Sequence, residues 1–427
     1  DGFHIKGLVI SMIHHYWPAL LASEFVQEFH TPLLKAKRLS DGRELSFFSL
    51  RDYDAWHAEL EEKEAPRWRT KYYKGLGTST DHEARTYFSQ LPRHMVQLEW
   101  GGDTDGDLID MAFSKKRVAD RKGWLLAAVE RERADDADGG VGAAAVPPLE
   151  AAVAAEANGV GENGVAVRRR SFEAFVQDDL VQYSLADLRR SLPSAIDGLK
   201  PSQRKVLHAC FERKLLPERQ ERKVTEVGGL CTEATAYHHG DASLHATIIN
   251  MAQGFVGANN VPLLDGVGQF GSRAKGGKNA AAARYISTRL APLTPLLFPA
   301  ADAPVLSYRH EDGKRVEPYH FVPIVPLLLL NGASGIGTGW STNVWGYHPL
   351  RVLDNVVAHA EGRTMEEMEP WAKGFRGTLE MRRRAGRPSF VSRGIAEIVD
   401  GGVVVIELPL ATWTESYKEW LIDKAER

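Results

Sequence analysis

The chain has 427 residues, of which 43% are hydrophobic and 26% are charged, and this profile is typical of about two to four globular domains. Its two cysteines exclude a disulfide scaffold and a cysteine-based zinc site and indicate a reducing compartment, while its longest apolar run is too short to span a bilayer. The net charge of −3 argues weakly against nucleic-acid binding, but 13 Lys and Arg against 8 Asp and Glu lie between residues 168 and 223, and such local patches decide phosphate binding.

The first 130 residues predict an α/β region. Residues 5–13 are an apolar run of either strand or helix, and residues 47–60 and 81–88 have helical patterns. Residues 71–80 are typical of a strand end that enters a glycine turn before the second of these helices. Because the chain begins at Asp1 with neither Met nor a signal segment, we expect an excised fragment of a longer protein.

Residues 131–167 are rich in Ala, Gly, Val and Glu and contain no aromatic residue, which predicts a disordered linker. Beyond this linker, Pro201 follows a turn and starts a helix whose apolar residues recur at a helical period. Residues 241–253 predict a second helix, with Asp241 as its N-cap and Gly254 as its C-terminal stop. Such short helices, followed by glycine turns and a basic segment, are compatible with a winged helix.

The most informative stretch is residues 269–290, which carries five basic residues and no acidic residue. Three glycines loosen its first half, so that backbone N–H groups can approach a polyanion, and an Ala run then favours a helix. Arg284 and Tyr285 follow this run, and the neighbouring cations favour the phenolate form of Tyr285. Taken alone, an Arg-Tyr pair is usually only part of a solvated basic surface.

The last hundred residues begin with a predicted buried apolar segment, residues 321–330. The glycine-rich residues 331–339 lack the Gly-Lys-Ser/Thr ending of a P-loop, so a plain tight turn is the preferred interpretation. The alternative is an apolar wedge, in which Ile336 enters between base steps of DNA. The other predicted elements are a helix at residues 349–362, a β-hairpin at residues 395–408 and a helix at residues 415–427.

Two stretches resemble metal sites only in part. Asp103-Thr-Asp105-Gly-Asp107 lacks the Gly and Glu that an EF-hand requires at its sixth and twelfth positions, so an acidic surface turn is preferred. The adjacent His238 and His239 point in different directions and have no further ligand at a suitable spacing, so zinc is not predicted. We expect a phosphate contact from His239 and a structural role for His238.

Taken together, these stretches resemble eukaryotic-type DNA topoisomerase II in its breakage–reunion core. The matches follow the order of that family and cover nearly the whole chain except the linker. They are Asp1-Gly-Phe-His-Ile-Lys-Gly-Leu8, Tyr72-Tyr-Lys-Gly-Leu-Gly-Thr-Ser-Thr80, Ala112-Phe-Ser-Lys-Lys116, Asp197-Gly-Leu-Lys-Pro-Ser-Gln-Arg-Lys-Val206, Ala236-Tyr-His-His-Gly240, Asn250-Met-Ala-Gln-Gly-Phe-Val-Gly257, Gly277-Lys-Asn-Ala-Ala-Ala-Ala-Arg-Tyr-Ile286 and Asn331-Gly-Ala-Ser-Gly-Ile-Gly-Thr-Gly-Trp-Ser-Thr342.

The resemblance implies a multidomain fold of α/β and α+β parts. These are the C-terminal part of a TOPRIM domain (residues 1–130), the linker (131–167), a winged-helix domain that binds and cleaves DNA (168–325) and part of a tower domain (326–427).

The resemblance also implies residue roles. Tyr285 falls on the nucleophile that attacks a DNA phosphodiester to give a 5′-phosphotyrosyl link, and Arg284 falls on the transition-state stabiliser. His239 and Arg204 complete the implied catalytic set. Ile336 falls on the intercalating residue that bends DNA, which replaces the tight-turn interpretation. The implied DNA contacts are Lys74, Lys200, Tyr237, His238, Arg273, Lys278 and Ile336.

Cofactors, partners and compartment follow from the same resemblance. Asp1 matches only the last aspartate of the family's Mg²⁺ motif, and the other ligands and the ATP-binding domain are expected upstream. The expected partners are double-stranded DNA and a second copy of the chain, with no membrane, in the nucleus. The expected activity of the full-length enzyme is ATP-dependent strand passage, which relaxes and decatenates DNA, and the chain alone is not expected to perform it.

Two alternatives remain beside this interpretation. One is a catalytically inactive DNA-binding relative that uses the winged helix structurally, which the presence of Arg284, Tyr285, Arg204 and His239 argues against. The other is a bacterial gyrase relative, which the wording of the motifs and the presence of both domains in one chain disfavour.

Overall fold

The computed structural model describes residues 2–48, 53, 56–57, 60, 67–73, 75–137, 168–311, 314–384 and 387–427. The chain divides into two compact units, Asp1–Asp187 and Leu188–Arg427. Among the described residues, no helix combines the length and the apolar character that a membrane span requires.

The N-terminal part of the chain contains eight helices and six strands among its described residues. The helices are α1 (Gly2–Tyr16), α2 (Pro18–Ala22), α3 (Asp81–Ser89), α4 (Leu91–His94), α5 (Asp103–Phe113), α6 (Val118–Ala137), α7 (Phe172–Ala174) and α8 (Val181–Ser191), with a π-helical turn at Phe175–Leu180. The strands are β1 (Gln27–Phe29), β2 (Leu34–Arg38), β3 (Glu44–Phe47), β4 (Trp68–Tyr72), β5 (Met95–Glu99) and β6 (Arg168–Ser171).

Two three-stranded sheets organise the first unit. One has the order β1-β5-β6, in which β5 runs antiparallel to β1 and parallel to β6, and the other is antiparallel with the order β3-β2-β4. The core beside the first sheet is formed by Ile10 of α1, Leu98 of β5, and Phe172 and Phe175, all of which are almost fully buried. The apolar run at residues 5–13 is therefore helical, since it forms the middle of α1.

Several expectations for this unit need correction, while one is confirmed. The helix expected at residues 81–88 is confirmed as α3, which Thr80 and Glu83 cap reciprocally. The helix expected at residues 47–60 is wrong at its start, because Phe47 ends strand β3, and residues 49–52 lie outside the described residues. The linker expected from residue 131 begins later, since α6 continues to Ala137, and the rest of the linker lies outside the described residues.

The expected acidic turn at residues 103–107 is instead the first turn of helix α5. Its acidic residues lie at a helix N-terminus, where the helix dipole favours negative charge. Asp105 is buried, and its carboxylate accepts a hydrogen bond of 2.7 Å from the backbone N–H of Gly101. The carboxylate thus satisfies a backbone donor just before the helix.

The C-terminal part of the chain contains seven helices and eleven strands among its described residues. The helices are α9 (Pro201–Glu212), α10 (Val224–Thr235), α11 (Asp241–Ala252), α12 (Thr294–Leu297), α13 (Leu327–Asn331), α14 (Pro349–Ala360) and α15 (Thr414–Glu426). The strands are β7 (Arg222–Lys223), β8 (Leu264–Val267), β9 (Ser287–Leu290), β10 (Tyr308–Glu311), β11 (Lys314–Pro318), β12 (Ala333–Gly337), β13 (Trp340–Val344), β14 (Thr378–Arg384), β15 (Arg387–Arg393), β16 (Ile395–Val399) and β17 (Gly402–Glu407).

Helices α9, α10 and α11 pack together beside an antiparallel sheet of order β7-β9-β8. Helix α9 begins as expected with Pro201, and the Gln203 side chain caps it by accepting the backbone N–H of Lys200 at 2.9 Å. The core between the helices and the sheet includes Leu207, Ile248 and Ile286, which are almost fully buried. Three helices and a three-stranded sheet are the parts of a winged helix, and that specific assignment stays a prediction.

The remaining strands form four two-stranded hairpins, β10-β11, β12-β13, β14-β15 and β16-β17. The last confirms the hairpin expected about residues 400–402. Helices α14 and α15 confirm the two helices expected in this region within two residues at each end. The apolar segment at residues 321–330 is only partly buried, since Phe321 and Leu327 are buried whereas Val322 and Ile324 are exposed.

Two local expectations in this unit are wrong. The N-cap of α11 is Gly240, and Asp241 is its first helical residue, where a carboxylate still complements the helix dipole. The Ala run at residues 280–283 forms no helix, because tertiary contacts hold it in extended and turn conformations: Ala281 donates its N–H to Gln269 O at 2.8 Å. The predicted domain boundaries stay predictions, since the division at Asp187 reflects packing alone.

Candidate active site

Tyr285 lies on a turn immediately before strand β9. Its backbone N–H donates to Ala282 O at 2.8 Å, and the next carbonyl, that of Ile286, accepts the N–H of Val224 at 2.9 Å. Ile286 is almost fully buried, so the following alternation of the chain directs Tyr285 outward, and its side chain is 70% exposed. The backbone under this tyrosine is therefore fixed while its hydroxyl is open to a large substrate.

Arg284 packs against the ring of the tyrosine that follows it. Its guanidinium carbon lies 4.8 Å from the centre of the Tyr285 ring, within the range of a cation–π contact. Both side chains are exposed. The pair thus places a nucleophilic oxygen and a group that can bind phosphate oxygens on the same surface.

The glycine-rich loop before this turn is ordered by hydrogen bonds and is not loose as expected. Asn279 accepts the backbone N–H of Ser272 at 3.0 Å and donates to the Ser272 hydroxyl at 2.9 Å. Gln253 donates from its buried amide to Phe270 O at 2.8 Å, and Gly277 has φ +80° with no room for a Cβ against that amide. The glycines are required for close approach and left-handed backbone more than for flexibility.

Of the basic residues in this loop, Lys275 and Lys278 are exposed whereas Arg273 is engaged within the chain. Arg273 forms an ion pair with the buried Glu407 and donates from Nη2 to Leu408 O at 2.8 Å. Lys278 therefore occupies a position from which a phosphate contact is possible. The expected DNA contact of Arg273 stays a prediction, but its guanidinium already has partners.

Arg204 is buried on helix α9 in a bidentate ion pair. Its Nε and Nη2 donate to the two carboxylate oxygens of Asp197 at 2.7 and 3.0 Å, and Nη2 also donates to Leu199 O. Asp197 is fully buried and accepts two further backbone N–H groups, from Leu199 and Phe321. The contacts of Arg204 do not include Tyr285, so the structure places this predicted catalytic residue in a packing role and leaves its catalytic role a prediction.

We expect the change Asp197→Asn to lower the free energy of unfolding of the second unit by about 3–5 kcal/mol, because it leaves the buried Arg204 charge unpaired. An amide also turns two donor hydrogens toward N–H groups that a carboxylate accepts. The measurement is urea-induced unfolding of the whole chain, with the transition assigned by hydrogen exchange in α9.

The matched control is Asp265→Asn, which removes a carboxylate 3.3 Å from Arg289 in a partly exposed pair. We expect that change to cost less than about 1 kcal/mol. Equal effects of the two substitutions would contradict a structural role for the buried pair.

The histidine segment at residues 237–239 follows helix α10, which ends at Ala236 with φ +46°. Tyr237 is buried in the core of the unit, so a direct DNA contact through its ring has little surface available. His239 is exposed and packs edge-on against the Tyr237 ring at 5.4 Å, and His238 lies 3.8 Å from the Glu311 carboxylate. This agrees with an outward position for His239 and a structural contact for His238.

Lys200 is half-buried, and its carbonyl accepts the N–H of Arg204 at 3.0 Å in the first turn of α9. Its backbone is therefore part of the helix start, and its side chain lies at the edge of the buried pair. Lys74 and Asp1 lie outside the described residues, so their predicted DNA and metal contacts stay predictions.

Ile336 projects from the hairpin β12-β13, where it pairs with Ser341, and it is 82% exposed. The glycines on either side lie close to the end of helix α8: a Cβ on Gly335 would lie 2.2 Å from Ser191 O, and one on Gly337 would lie 2.8 Å from the Leu188 side chain. One face of the hairpin thus rests on the chain at residues 188–192, which leaves the single large apolar side chain pointing away. The tight turn first preferred from sequence is wrong, because this stretch is a β-hairpin.

No three His, Cys, Asp or Glu side chains converge on a possible metal position within the described part of the chain. These residues therefore do not fit the Mg²⁺ expected from the resemblance, and no chemical step is derived through it. The two cysteines are core residues: burial raises the pKa of the Cys210 thiol far above its usual value and that of Cys231 to about 11. Neither offers a thiolate nucleophile.

Three residues that hold the site in place were not predicted from the sequence. Asp197 lies inside a motif that carries the family resemblance, and its position seven residues before Arg204 is one that a buried pair can span. Glu407 and Trp413 carry no such local signal, because they reach the glycine-rich loop from more than a hundred residues away.

Comparison with known families matches this geometry to one class of protein. The family model for DNA gyrase/topoisomerase IV matches residues 190–427, and the model for the C-terminal associated domain of TOPRIM matches residues 29–188. The first match covers more than half of the chain, so the chain belongs to the DNA gyrase/topoisomerase IV family.

Within that family, the relatives are eukaryotic DNA topoisomerases II. DNA topoisomerase 2-beta of Gallus gallus and DNA topoisomerase 2 top-2 of Caenorhabditis elegans are each 42% identical over 99% of this chain. The chain spans 24% and 26% of these relatives, about a quarter of their length. A solved structure, the DNA-binding, cleavage and re-ligation domain of Plasmodium falciparum topoisomerase II, matches 99% of this chain and 53% of its own, with 41% identity and a TM-score of 0.71. The resemblance to eukaryotic-type DNA topoisomerase II is thereby confirmed.

Proposed function

We propose that this chain cleaves and rejoins double-stranded DNA through Tyr285, as the cleavage core of a type II topoisomerase. The observation that carries the proposal is the exposed Tyr285 hydroxyl on a fixed backbone turn, with the Arg284 guanidinium 4.8 Å from its ring. The names of the relatives support the same activity, since they describe topoisomerases and a DNA cleavage and re-ligation domain.

The proposed step is a transesterification at phosphorus. The phenolic oxygen of Tyr285 attacks a DNA phosphodiester, a phosphorus–oxygen bond to the tyrosine forms, and the bond to the 3′ oxygen breaks. The phenolic proton leaves to solvent or a base, and the departing 3′ oxygen gains a proton. Because one phosphoester replaces another, the reverse reaction reseals the strand without an external energy source.

Arg284 is assigned to the charge that develops on the phosphoryl oxygens in this step. A fixed guanidinium stabilises such charge with two parallel N–H donors and needs no reorganisation as the reaction proceeds. The exposed Lys278 is assigned to the flanking phosphates, and His239 to the phosphate near the tyrosine. Ile336 is assigned to a wedge between base steps, which kinks the duplex.

For the whole protein we extend the proposal to the functions that the chain alone does not carry. These are Mg²⁺ at the cleavage centre, ATP-driven passage of one duplex through another, assembly of two copies and residence in the nucleus. The support is the family membership together with the TOPRIM-associated region, which is metal-linked in this class.

The experiment that tests the proposed function asks which DNA end becomes attached to protein. The full-length protein is incubated with Mg²⁺ and a short duplex labelled at either the 3′ or the 5′ end of one strand, and the reaction is stopped with detergent. Attack as proposed leaves the protein on the 5′ phosphate, so the 3′ label should migrate with protein while the 5′ label stays on a free fragment.

Transfer of the 5′ label to protein would contradict the proposed direction of attack. Absence of any adduct, while the duplex is still bound, would favour an inactive DNA-binding relative. Binding is measured in parallel by the anisotropy of a labelled duplex, so that the two outcomes are separated.

A further inference from the structure

The glycine-rich loop before Tyr285 is tied to the C-terminal end of hairpin β16-β17 by a buried ion pair. The Arg273 guanidinium contacts Glu407, whose side chain is 2% exposed, and also donates to Leu408 O at 2.8 Å. The Glu407 Oε1 atom accepts no conventional hydrogen bond within the described residues, so this cation is its charge partner. The other oxygen accepts the backbone N–H of Arg376 at 3.3 Å.

A second contact holds the same loop a few residues further on. The indole of Trp413, at the start of helix α15, lies directly over Gly276, where a Cβ would come within 2.5 Å of the ring. Gly276 has φ +58°, so both its backbone conformation and the ring above it require glycine. Phe255 meets the other side of this indole edge-on at 6.1 Å.

The far end of the loop leads directly to the nucleophile. Gly277 N–H donates to Ser272 O at 2.9 Å, and Ala281 N–H donates to Gln269 O, so the loop closes on itself before the turn at residues 282–285. A displacement of Arg273 or Gly276 is thus passed through a short hydrogen-bonded segment to Arg284 and Tyr285.

The geometry points to Glu407, Arg273 and Trp413 as positioning residues that hold the nucleophile loop, with the end of strand β17 and the start of helix α15 as its anchor. This inference rests on the proposed function for its catalytic consequence. It assigns Arg273, which the resemblance makes a DNA contact, to an intramolecular clamp. Movement of the β16-β17 hairpin would then alter the rate at which Tyr285 attacks.

The test compares Arg273→Gln, Glu407→Gln and the double variant in single-turnover adduct formation and in duplex binding. A clamp predicts that either single change slows adduct formation about 10- to 100-fold, since small misplacements of reacting groups have effects of that size. It also predicts that the double variant is no slower than the slower single variant, because both remove one interaction. The Kd for the duplex should change less than about threefold in each.

A direct phosphate contact of Arg273 predicts a different result. Arg273→Gln would then raise Kd and reduce the dependence of binding on salt concentration by about one phosphate, while Glu407→Gln would leave both unchanged. That pattern would overturn the clamp. Trp413→Phe, which keeps an apolar ring with less area over Gly276, supplies a milder variant if Glu407→Gln lowers the folded yield.

The matched control is Arg376→Gln. Arg376 also approaches the Glu407 carboxylate, at 3.9 Å from Nε, but its side chain is 72% exposed and contributes nothing to the loop. We expect its adduct rate to equal that of the wild type. An equal loss in Arg376→Gln would overturn the inference, because it would attribute the effect to the carboxylate alone.

A readout independent of DNA chemistry separates the clamp from the proposed function. Hydrogen exchange of the amides at residues 272–286 should quicken about tenfold or more in Glu407→Gln, as local opening becomes easier, and stay unchanged in Arg376→Gln. Unchanged exchange in Glu407→Gln would overturn the clamp even if the wild type forms the adduct. Failure of the wild type to form an adduct, with quickened exchange in the variant, would overturn only the proposed function.

Discussion

Replacement of Tyr285 with Phe is expected to abolish the covalent protein–DNA adduct. The change removes only the phenolic oxygen, which is the proposed attacking atom, and loss of a nucleophile in covalent catalysis costs about 10⁶-fold in rate. The ring that contacts Arg284 is kept, and the exposed position of Tyr285 means that folding loses little. The measurement is detergent-trapped adduct on a 3′-labelled duplex in the presence of Mg²⁺.

The matched control for this change is Tyr319→Phe. Tyr319 belongs to the same unit and is 61% exposed, so the substitution removes an equally accessible phenol elsewhere on the surface. We expect the Tyr319→Phe protein to form adduct at the wild-type rate. Adduct in the Tyr285→Phe protein, or its loss in the Tyr319→Phe protein, would assign the nucleophile to another residue.

The sequence was most informative where function depends on adjacent residues. Arg284 and Tyr285 are neighbours in the chain, so their pairing needs no knowledge of the fold, and the structure adds only the exposed turn on which they lie. Helix α9 was likewise predictable, because Pro201 marks its start and its buried residues recur at a helical period. Local signals sufficed in both cases.

Elsewhere, tertiary contacts overruled local propensity. The Ala run before Arg284 has the composition of a helix, yet its backbone groups bond to the distant Gln269 and continue into β9. Arg273 looked like one more phosphate contact in a basic loop, yet its partner Leu408 is 135 residues away. A pattern of charges predicts a surface, but it does not reveal which charge an acidic residue from another segment has already neutralised.

The hairpin at residues 333–344 shows how a resemblance and a physical account complement each other. From sequence alone a tight turn was the simpler interpretation of Gly-Ile-Gly, and only the resemblance singled out Ile336. The structure supplies the reason for the pattern, because both glycines allow close approach to residues 188–192 and Ile336 is left as the exposed apolar residue. A side chain at either glycine position would push this hairpin from its support.

Replacement of Arg284 with Gln is expected to slow adduct formation by about 10³- to 10⁵-fold, the range measured for arginines that stabilise phosphoryl-transfer transition states. Gln keeps a polar chain but loses the charge that opposes the developing negative charge on phosphoryl oxygens. Arg284→Lys should recover part of the rate, because it restores a point charge without the two parallel donors of a guanidinium. The measurement is the single-turnover adduct rate at saturating duplex, with Kd measured separately.

The control is Arg222→Gln, which removes an exposed arginine from strand β7 of the same sheet, where it lies 4.0 Å from Glu226. If Arg284 acts mainly in the transition state, Arg284→Gln lowers the adduct rate far more than it raises Kd, and Arg222→Gln changes neither by more than a few-fold. A loss in Arg284→Gln that appears entirely in Kd would make this residue a binding contact. The distinction matters because Tyr285 and Arg284 share one fixed turn: an arginine that acts only on the transition state would make that turn the catalytic unit of the chain.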